Sequence, residues 1–200
     1  MTFEIKNKDK NARNGILKTK TGEYETPFFM PVATKGAPKY LEAEEISELG
    51  GYAMISNAFL LYLKPGLEVI QKNKGIQNFM KWSGCSFTDS GGFQALSLKK
   101  FNKKNSNDGL IFKSPYDGSI HKLNPKKVME IEEKIGADVA MCLDQMPLYG
   151  KTKEEVKIAT ERTHLWAKEC LKYHKDKKQL LFGICQGGIF PDLRKESAEF

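Results

Sequence analysis

From about residue 40 onward, short apolar runs alternate with longer stretches in which apolar residues recur every three or four positions. The runs are YAMISN (52–57), CSFTD (85–89), ADVAMCLD (137–144) and QLLFGICQ (179–186). Each has the length and composition of a strand. The periodic stretches read as helices. YLEAEEISELGG places Leu41, Ile46 and Leu49 on one side and is closed by Gly50 and Gly51. GLEVIQKNKGIQNFMKW is helical but weakened at Gly75. NPKKVMEIEEKIG has Asn124 as its cap and Pro125 in its first position. TKEEVKIATERTHLWAKECLKYHK is a long helix opened by a capping box, Thr152 with Glu155. PDLRKESAEF starts another.

Two regions break the rhythm. The first 15 residues are polar, and GILKTKTGEYETPFFMPV then reads as one or two short strands, with a turn at Thr21–Gly22 and a break at Pro27. Between Leu98 and Leu123, KKFNKKNSNDG reads as a polar loop. LIFKSPYDGSIHKL reads as a hairpin turning at Asp117–Gly118. This region looks like an insertion between a strand and its helix.

Alternating strands and helices predict an α/β fold with a parallel sheet. A doubly wound sheet and a (β/α)8 barrel both satisfy the pattern. No GxGxxG follows the first strand, and no GxxxxGK[ST] is present. The 200 residues stand at the bottom of the usual barrel range of ~200 to 400.

Four runs end on a polar group: Asn57, Asp89, Asp144 and Gln186. In parallel α/β folds ligands bind at the C-terminal ends of the strands. Asn and Asp also end strands and cap helices for purely structural reasons. Four such tips in succession, one of them a glutamine, point to a shared site. Asp144 offers two acceptor oxygens and suits a ligand edge with two adjacent N–H donors, such as N1–H and the exocyclic amine of guanine. Gln186 supplies an amide donor. Gly187 and Gly188 leave backbone N–H groups open to a carbonyl such as O6. Phe93, beyond Gly91 and Gly92, is either a stacking platform for a flat heterocycle or a core residue. Asp89 is left for proton transfer or for holding a ribose hydroxyl.

Composition adds three constraints. The net charge of +7 and pI near 9.1 are compatible with a polyanion such as RNA. Lys99, Lys100, Lys103 and Lys104 follow the Asp89 strand, and read either as phosphate contacts or as a solvated loop. No apolar run approaches the ~20 residues that span a bilayer, and the N-terminus lacks the apolar centre of a signal peptide. A cytoplasmic location is the default expectation. Cys85, Cys142, Cys170 and Cys185 are scattered, with no CxxC pair to nucleate a zinc site. They read as reduced thiols, mostly buried, and no metal site is expected within the chain.

The ordered set FTDSGGFQ, SPYDGSIHKLNPKKVMEIEEKIGADVAMCLDQ, ERTHLWAKEC and LFGICQGGIFPDLR resembles the tRNA-guanine transglycosylases, also called queuine tRNA-ribosyltransferases. TPFFMPVATKG and NAFLLYLKPG fit the same family. The resemblance implies a (β/α)8 barrel that exchanges a guanine in tRNA for a 7-deazaguanine base: preQ1, queuine or preQ0. It implies Asp89 as general acid/base with Ser90 beside it, and Phe93 as the stacking ring. Asp144 and Gln186 would read the guanine-like edge, helped by Gly187 and Gly188. The family reaction uses a second carboxylate as nucleophile and forms a covalent RNA–enzyme intermediate. That aspartate, the family's structural zinc site and the last barrel strands have no counterpart in residues 1–200, and Asp192 follows GGIF too closely to be the nucleophile.

The expected architecture is therefore one partial barrel domain over residues 1–200, the N-terminal half or slightly more, with an inserted hairpin. Zinc would belong to the missing part. Expected partners are tRNA, guanine-like bases, and a homodimer mate or split partner chain. Gln145 stands where bacterial members usually have Glu, and ATKGAPK differs from their GTQGTVK, so the incoming base stays open. A non-catalytic subunit that binds tRNA or a partner is the alternative. An open barrel exposes sheet edges and core, so the isolated chain is expected to be unstable or to aggregate, and not to catalyse exchange. Incubation with tRNA and labelled guanine checks this: clear incorporation by the purified 200-residue chain would contradict it.

Overall fold

A computed structural model describes residues 2–92 and 102–200. The chain begins with an antiparallel sheet of β1 (Phe3–Asp9), β2 (Ala12–Lys18) and β3 (Glu23–Thr26), in the order β1-β2-β3. The polar opening segment is thus largely a strand. Its residues are mostly exposed, so no apolar alternation announces it; backbone pairing from Phe3↔Leu17 to Asp9↔Ala12 holds it in place.

The centre is a parallel sheet of β4 (Ala53–Asn57), β5 (Cys85–Asp89), β9 (Val139–Met141) and β10 (Leu180–Phe182), in the order β10-β9-β5-β4. Residues 31–34 lie along the free side of β4. Ala33 N–H donates to Ile55 O at 2.8 Å, and Asn57 N–H donates to Thr34 O at 3.2 Å. Neighbours in space are therefore neighbours in sequence. A doubly wound sheet has a switch point where this order reverses, and these five extended segments have none. Among the described residues the sheet does not close on itself.

The helices follow the predicted rhythm with three differences. α1 (Ala43–Glu48) is one short piece in which only Ile46 is buried; Leu41 and Leu49 are 42% and 77% exposed. α2 (Ala58–Leu63) follows β4 without a loop. Its sequence, AFLLYL, buries Ala58, Phe59 and Leu61, so it lacks the amphipathic period that marks a surface helix. The stretch weakened at Gly75 is two helices, α3 (Leu67–Lys72) and α4 (Ile76–Met80), and Gly75 between them has φ +108°. α5 (Pro125–Ile135) and α6 (Lys153–Tyr173) start at the predicted caps: Asn124 accepts from Lys127 N–H, and Thr152 with Glu155 forms the capping box. α7 (Pro191–Glu199) ends the fold.

The insertion is more than a hairpin. β6 (Asn102–Ser106), β7 (Gly109–Lys113) and β8 (Ile120–Leu123) form an antiparallel sheet in that order. Lys103 and Lys104 therefore sit in a strand rather than in a loop, with a register irregularity between Asn102 and Lys104. The turn containing Asp117–Gly118 joins β7 to β8 as expected. This sheet packs into the main core through Phe112, whose ring meets Phe59 edge-on at 4.4 Å.

At the N-terminal ends of the parallel strands, fully buried Asp138 accepts four hydrogen bonds. Three go to Oδ2, from Ser86 N–H at 2.9 Å, Ser86 Oγ at 3.1 Å and Gln77 Nε2 at 2.8 Å. Thr21 Oγ1 donates to Oδ1 at 2.8 Å. The Asp138 N–H in turn donates to Ser86 Oγ at 3.0 Å. One side chain thus ties the antiparallel sheet, α4, β5 and the start of β9 together. Asp138→Ala would strand the buried Ser86 N–H and hydroxyl and take a partner from the half-buried Gln77 and from Thr21, and a loss of about 3 kcal/mol is expected. Urea unfolding of the two proteins measures it; an unchanged midpoint would contradict the role.

Candidate active site

The four polar residues gather on the opposite, C-terminal side of the sheet: Asn57 and Asp89 end β4 and β5, whereas β9 stops at Met141 and β10 at Phe182, so Asp144 and Gln186 lie in the segments just beyond the shorter strands. Parallel pairing of β4 with β5 aligns Asn57 with Asp89. Asn57 Nδ2 donates to Asp89 Oδ1 at 2.7 Å, while its Oδ1 accepts from Leu60 N–H at 2.8 Å. Asn57 is therefore both the cap of α2 and a hydrogen-bond donor to Asp89. Gly91 N–H also donates to Asp89 Oδ1, at 3.1 Å.

Ser90 carries the cluster onward. Its Oγ lies 3.4 Å from Asp144 Oδ1 and accepts from Gly92 N–H at 3.3 Å. Gly92 is required by space: a Cβ there would stand 2.5 Å from Asp144 O. Gln186 Nε2 donates to Asp144 Oδ2 at 2.7 Å. Asn57–Asp89 and Ser90–Asp144–Gln186 thus form two hydrogen-bonded sets, set side by side by the Asp89–Ser90 peptide bond. Burial pushes the Asp144 carboxyl above its ordinary value, against the pull of the hydrogen bonds from Ser90 and Gln186. Each oxygen keeps lone pairs for further donors.

Of the other expected residues, Gly187 is buried and Gly188 exposed. Phe93, Lys99 and Lys100 lie outside the described residues, and Lys103 and Lys104 are placed by backbone in β6. The four cysteines are free thiols, three of them buried and Cys185 exposed.

Three features escaped the reading of the strand tips. The first is Gln145, whose Oε1 accepts from Arg162 Nη1 at 2.6 Å; Arg162 Nε also donates to Asn107 Oδ1 at 3.0 Å in the β6–β7 turn. The second is Trp166, fully buried, whose Nε1 donates to Asn107 O at 2.7 Å. The third is Glu132 on α5. It is fully buried behind β5, its Oε2 is 2.5 Å from Thr88 Oγ1, and its Oε1 has no partner among the described residues. Burial drives this carboxyl well above its ordinary value. The Thr88 hydrogen bond opposes that, and the neighbouring Asp89 and Cys142 add to it. Helix periodicity alone identifies none of the three, because each depends on which long-range neighbour the fold supplies.

The profile described as queuine tRNA-ribosyltransferase matches residues 8–200. The chain belongs to the queuine tRNA-ribosyltransferase family. It is 47% identical to the queuine tRNA-ribosyltransferase of Desulforamulus reducens over 98% of this chain and 53% of that protein. The Thermotoga petrophila protein of that name is 46% identical over 99% of this chain and 53% of its own length. That of Prochlorococcus marinus is 42% identical over 99% and 54%. The chain thus spans about half the length of the curated relatives it matches.

Glu132 yields a pH prediction. Unfolded, it ionises in the ordinary glutamate range; folded, only well above it. Between those two values each rise in pH favours the unfolded chain. Its stabilising contribution is whole below the ordinary range and is lost as pH climbs through the raised value. Glu132→Gln should flatten this alkaline decline, measured as urea midpoints across neutral to alkaline pH. An equally steep decline in the variant would contradict the assignment.

Proposed function

We propose that this chain supplies the base-recognition and proton-handling part of a tRNA guanine exchange, in which guanine is replaced by a 7-deazaguanine base. The observation that carries the proposal is the pair of neighbouring hydrogen-bonded sets, Asn57–Asp89 and Ser90–Asp144–Gln186, on the C-terminal side of the parallel strands. A purine edge with two N–H donors meets a carboxylate at Asp144. The Gln186 amide can turn its donor from Asp144 to a base carbonyl, with the Gly187 and Gly188 backbone beside it. Asp89, steadied by Asn57 and Gly91 N–H, takes and returns the proton of the departing and arriving base. Phe93 is proposed to stack on the base, and Lys99, Lys100, Lys103 and Lys104 to meet RNA phosphates.

The barrel assignment belongs to the same proposal. Spatial order that follows chain order, from residues 31–34 through β10, is the progression of a (β/α)8 barrel. The relatives' additional length would supply the remaining strands and the nucleophilic carboxylate, from a continuation of the chain, a partner chain or a homodimer mate. Among the described residues no three His, Cys, Asp or Glu side chains are placed to hold a metal; the zinc that the resemblance implies is proposed to belong to the relatives' additional length. No helix among the described residues is long and apolar enough to cross a membrane; a cytoplasmic location is part of the proposal.

Two measurements test it. Guanine should bind and raise the melting temperature. Asp144→Ala should weaken binding by about 2 kcal/mol or more, as expected for hydrogen bonds to a charged group. Binding should also fall on acidification, because a protonated Asp144 loses an acceptor, and its raised pKa moves that loss to higher pH than for an ordinary aspartate. In exchange assays with the complementary half of a relative added, Asp89→Asn should abolish labelled guanine incorporation. Guanine binding that ignores Asp144, or exchange that survives Asp89→Asn, would contradict the assignment.

A further inference from the structure

The segment that carries Gln186 is seated on α7 by its backbone. Gly187, with φ +117°, presses against that helix: a Cβ there would stand 2.5 Å from Arg194 N and 2.7 Å from Leu193 C. Cys185 Sγ lies 3.5 Å from Arg194 O. The Gln186 N–H donates to Ser197 Oγ at 3.0 Å, and Ser197 Oγ is 2.8 Å from His164 Nε2 on α6. Gln186 and Ser197 are both buried, at 7% and 8% exposure. The amide that reaches Asp144 is thus fixed, through its own main chain, to two helices.

We propose that Ser197 and His164 are positioning residues for base recognition, setting where the Gln186 amide stands relative to Asp144. This rests on the reading of Gln186 and Asp144 given above. The chemistry of one hydroxyl explains the pairing. Ser197 Oγ has two lone pairs and one proton. A lone pair takes the Gln186 N–H, and the proton goes to an unprotonated His164 Nε2. These are the two hydrogen bonds the Ser197 hydroxyl makes among the described residues.

If His164 is protonated, Nε2 becomes a donor. Its N–H and the Gln186 N–H then fill both lone pairs of the oxygen, and the buried serine proton is left without an acceptor, which costs the clasp stability. Partial burial, first, holds the imidazole below its ordinary value; Glu196 and Glu161 oppose that, and Lys168 adds to it. Asp192, Lys195 and Glu199 line the same recess. The clasp is therefore whole in neutral solution and loosens in acid.

The test uses the full chain. Amide hydrogen exchange of Gln186, corrected for the intrinsic effect of pH, is read without ligand; guanine affinity is read by calorimetry at pH 8. Ser197→Ala should lower Gln186 protection and weaken guanine binding about tenfold, in keeping with loss of a buried hydrogen bond. Ser197→Thr, which keeps the hydroxyl, should restore both. In acid, Gln186 protection should fall in the parent chain but not in His164→Gln, whose amide oxygen accepts without titrating. Unchanged protection and affinity in Ser197→Ala would overturn the proposal. An identical acid response in His164→Gln would overturn the role of His164. Protection that depends on Ser197 in a chain that binds no guanine would uphold the clasp and overturn guanine as what Gln186 reads.

Discussion

The fold hangs on a single buried carboxyl. Asp138 sits where the antiparallel sheet, α4, β5 and β9 converge, and accepts hydrogen bonds from the first three. Parallel strands have no tight turn to set their register, so something else must. Asp138 joins Ser86 by both main chain and side chain immediately before the Phe87↔Val139 pairing begins. That lock at one end of the strands fixes what the other end presents. A slip of one residue there would turn Asp89 to the opposite face of the sheet. Lys20 reinforces the lock from outside, donating to Gly136 O and Ala137 O at 2.8 and 3.0 Å.

At the functional end, two acids are treated differently. Asp144 is mostly shielded from water, and its acidity is a contest between burial and two hydrogen-bond donors. Glu132 is shielded completely and has one donor, Thr88, for two oxygens. It stands near Asp89 as a second acid whose proton is hard to remove, so it adds little negative charge beside that carboxylate. A neutral acid there costs less than an ionised one would in the same setting.

The parts of the fold legible in the sequence were those governed by local rules. The caps at Asn124 and Thr152, the strands around Ser56, Thr88 and Ala140, and the turn at Asp117–Gly118 all follow from neighbouring residues. The convergence of Asn57, Asp89, Asp144 and Gln186 was legible because parallel strands carry their tips to one side. What stayed hidden depended on distant partners. β1 is stabilised by its pairing with β2 rather than by burial. α2 is apolar around most of its circumference, so it carries no period. β6 has the lysines and asparagines of a loop, yet pairs with β7. The roles of Glu132, His164 and Ser197 follow only from what packs beside them, since a glutamate or serine on an amphipathic helix is ordinary until its neighbour is known.

The two-residue turn between β6 and β7 carries a wider meaning. Asn107 receives Trp166 through its carbonyl and Arg162 through its side chain, and Arg162 also grips Gln145, next in sequence to Asp144. The insertion is therefore not an appendage that can drift in length. Its inner turn acts as a strut between α6 and the segment that carries Asp144, and one added residue there would move the strut. The outer turn, from Ser114 to Ser119, is closed mainly by hydrogen bonds within itself. Variation in the size of this subdomain should gather at the outer turn, and anyone grafting new loops onto the scaffold has one permissive corner and one forbidden one.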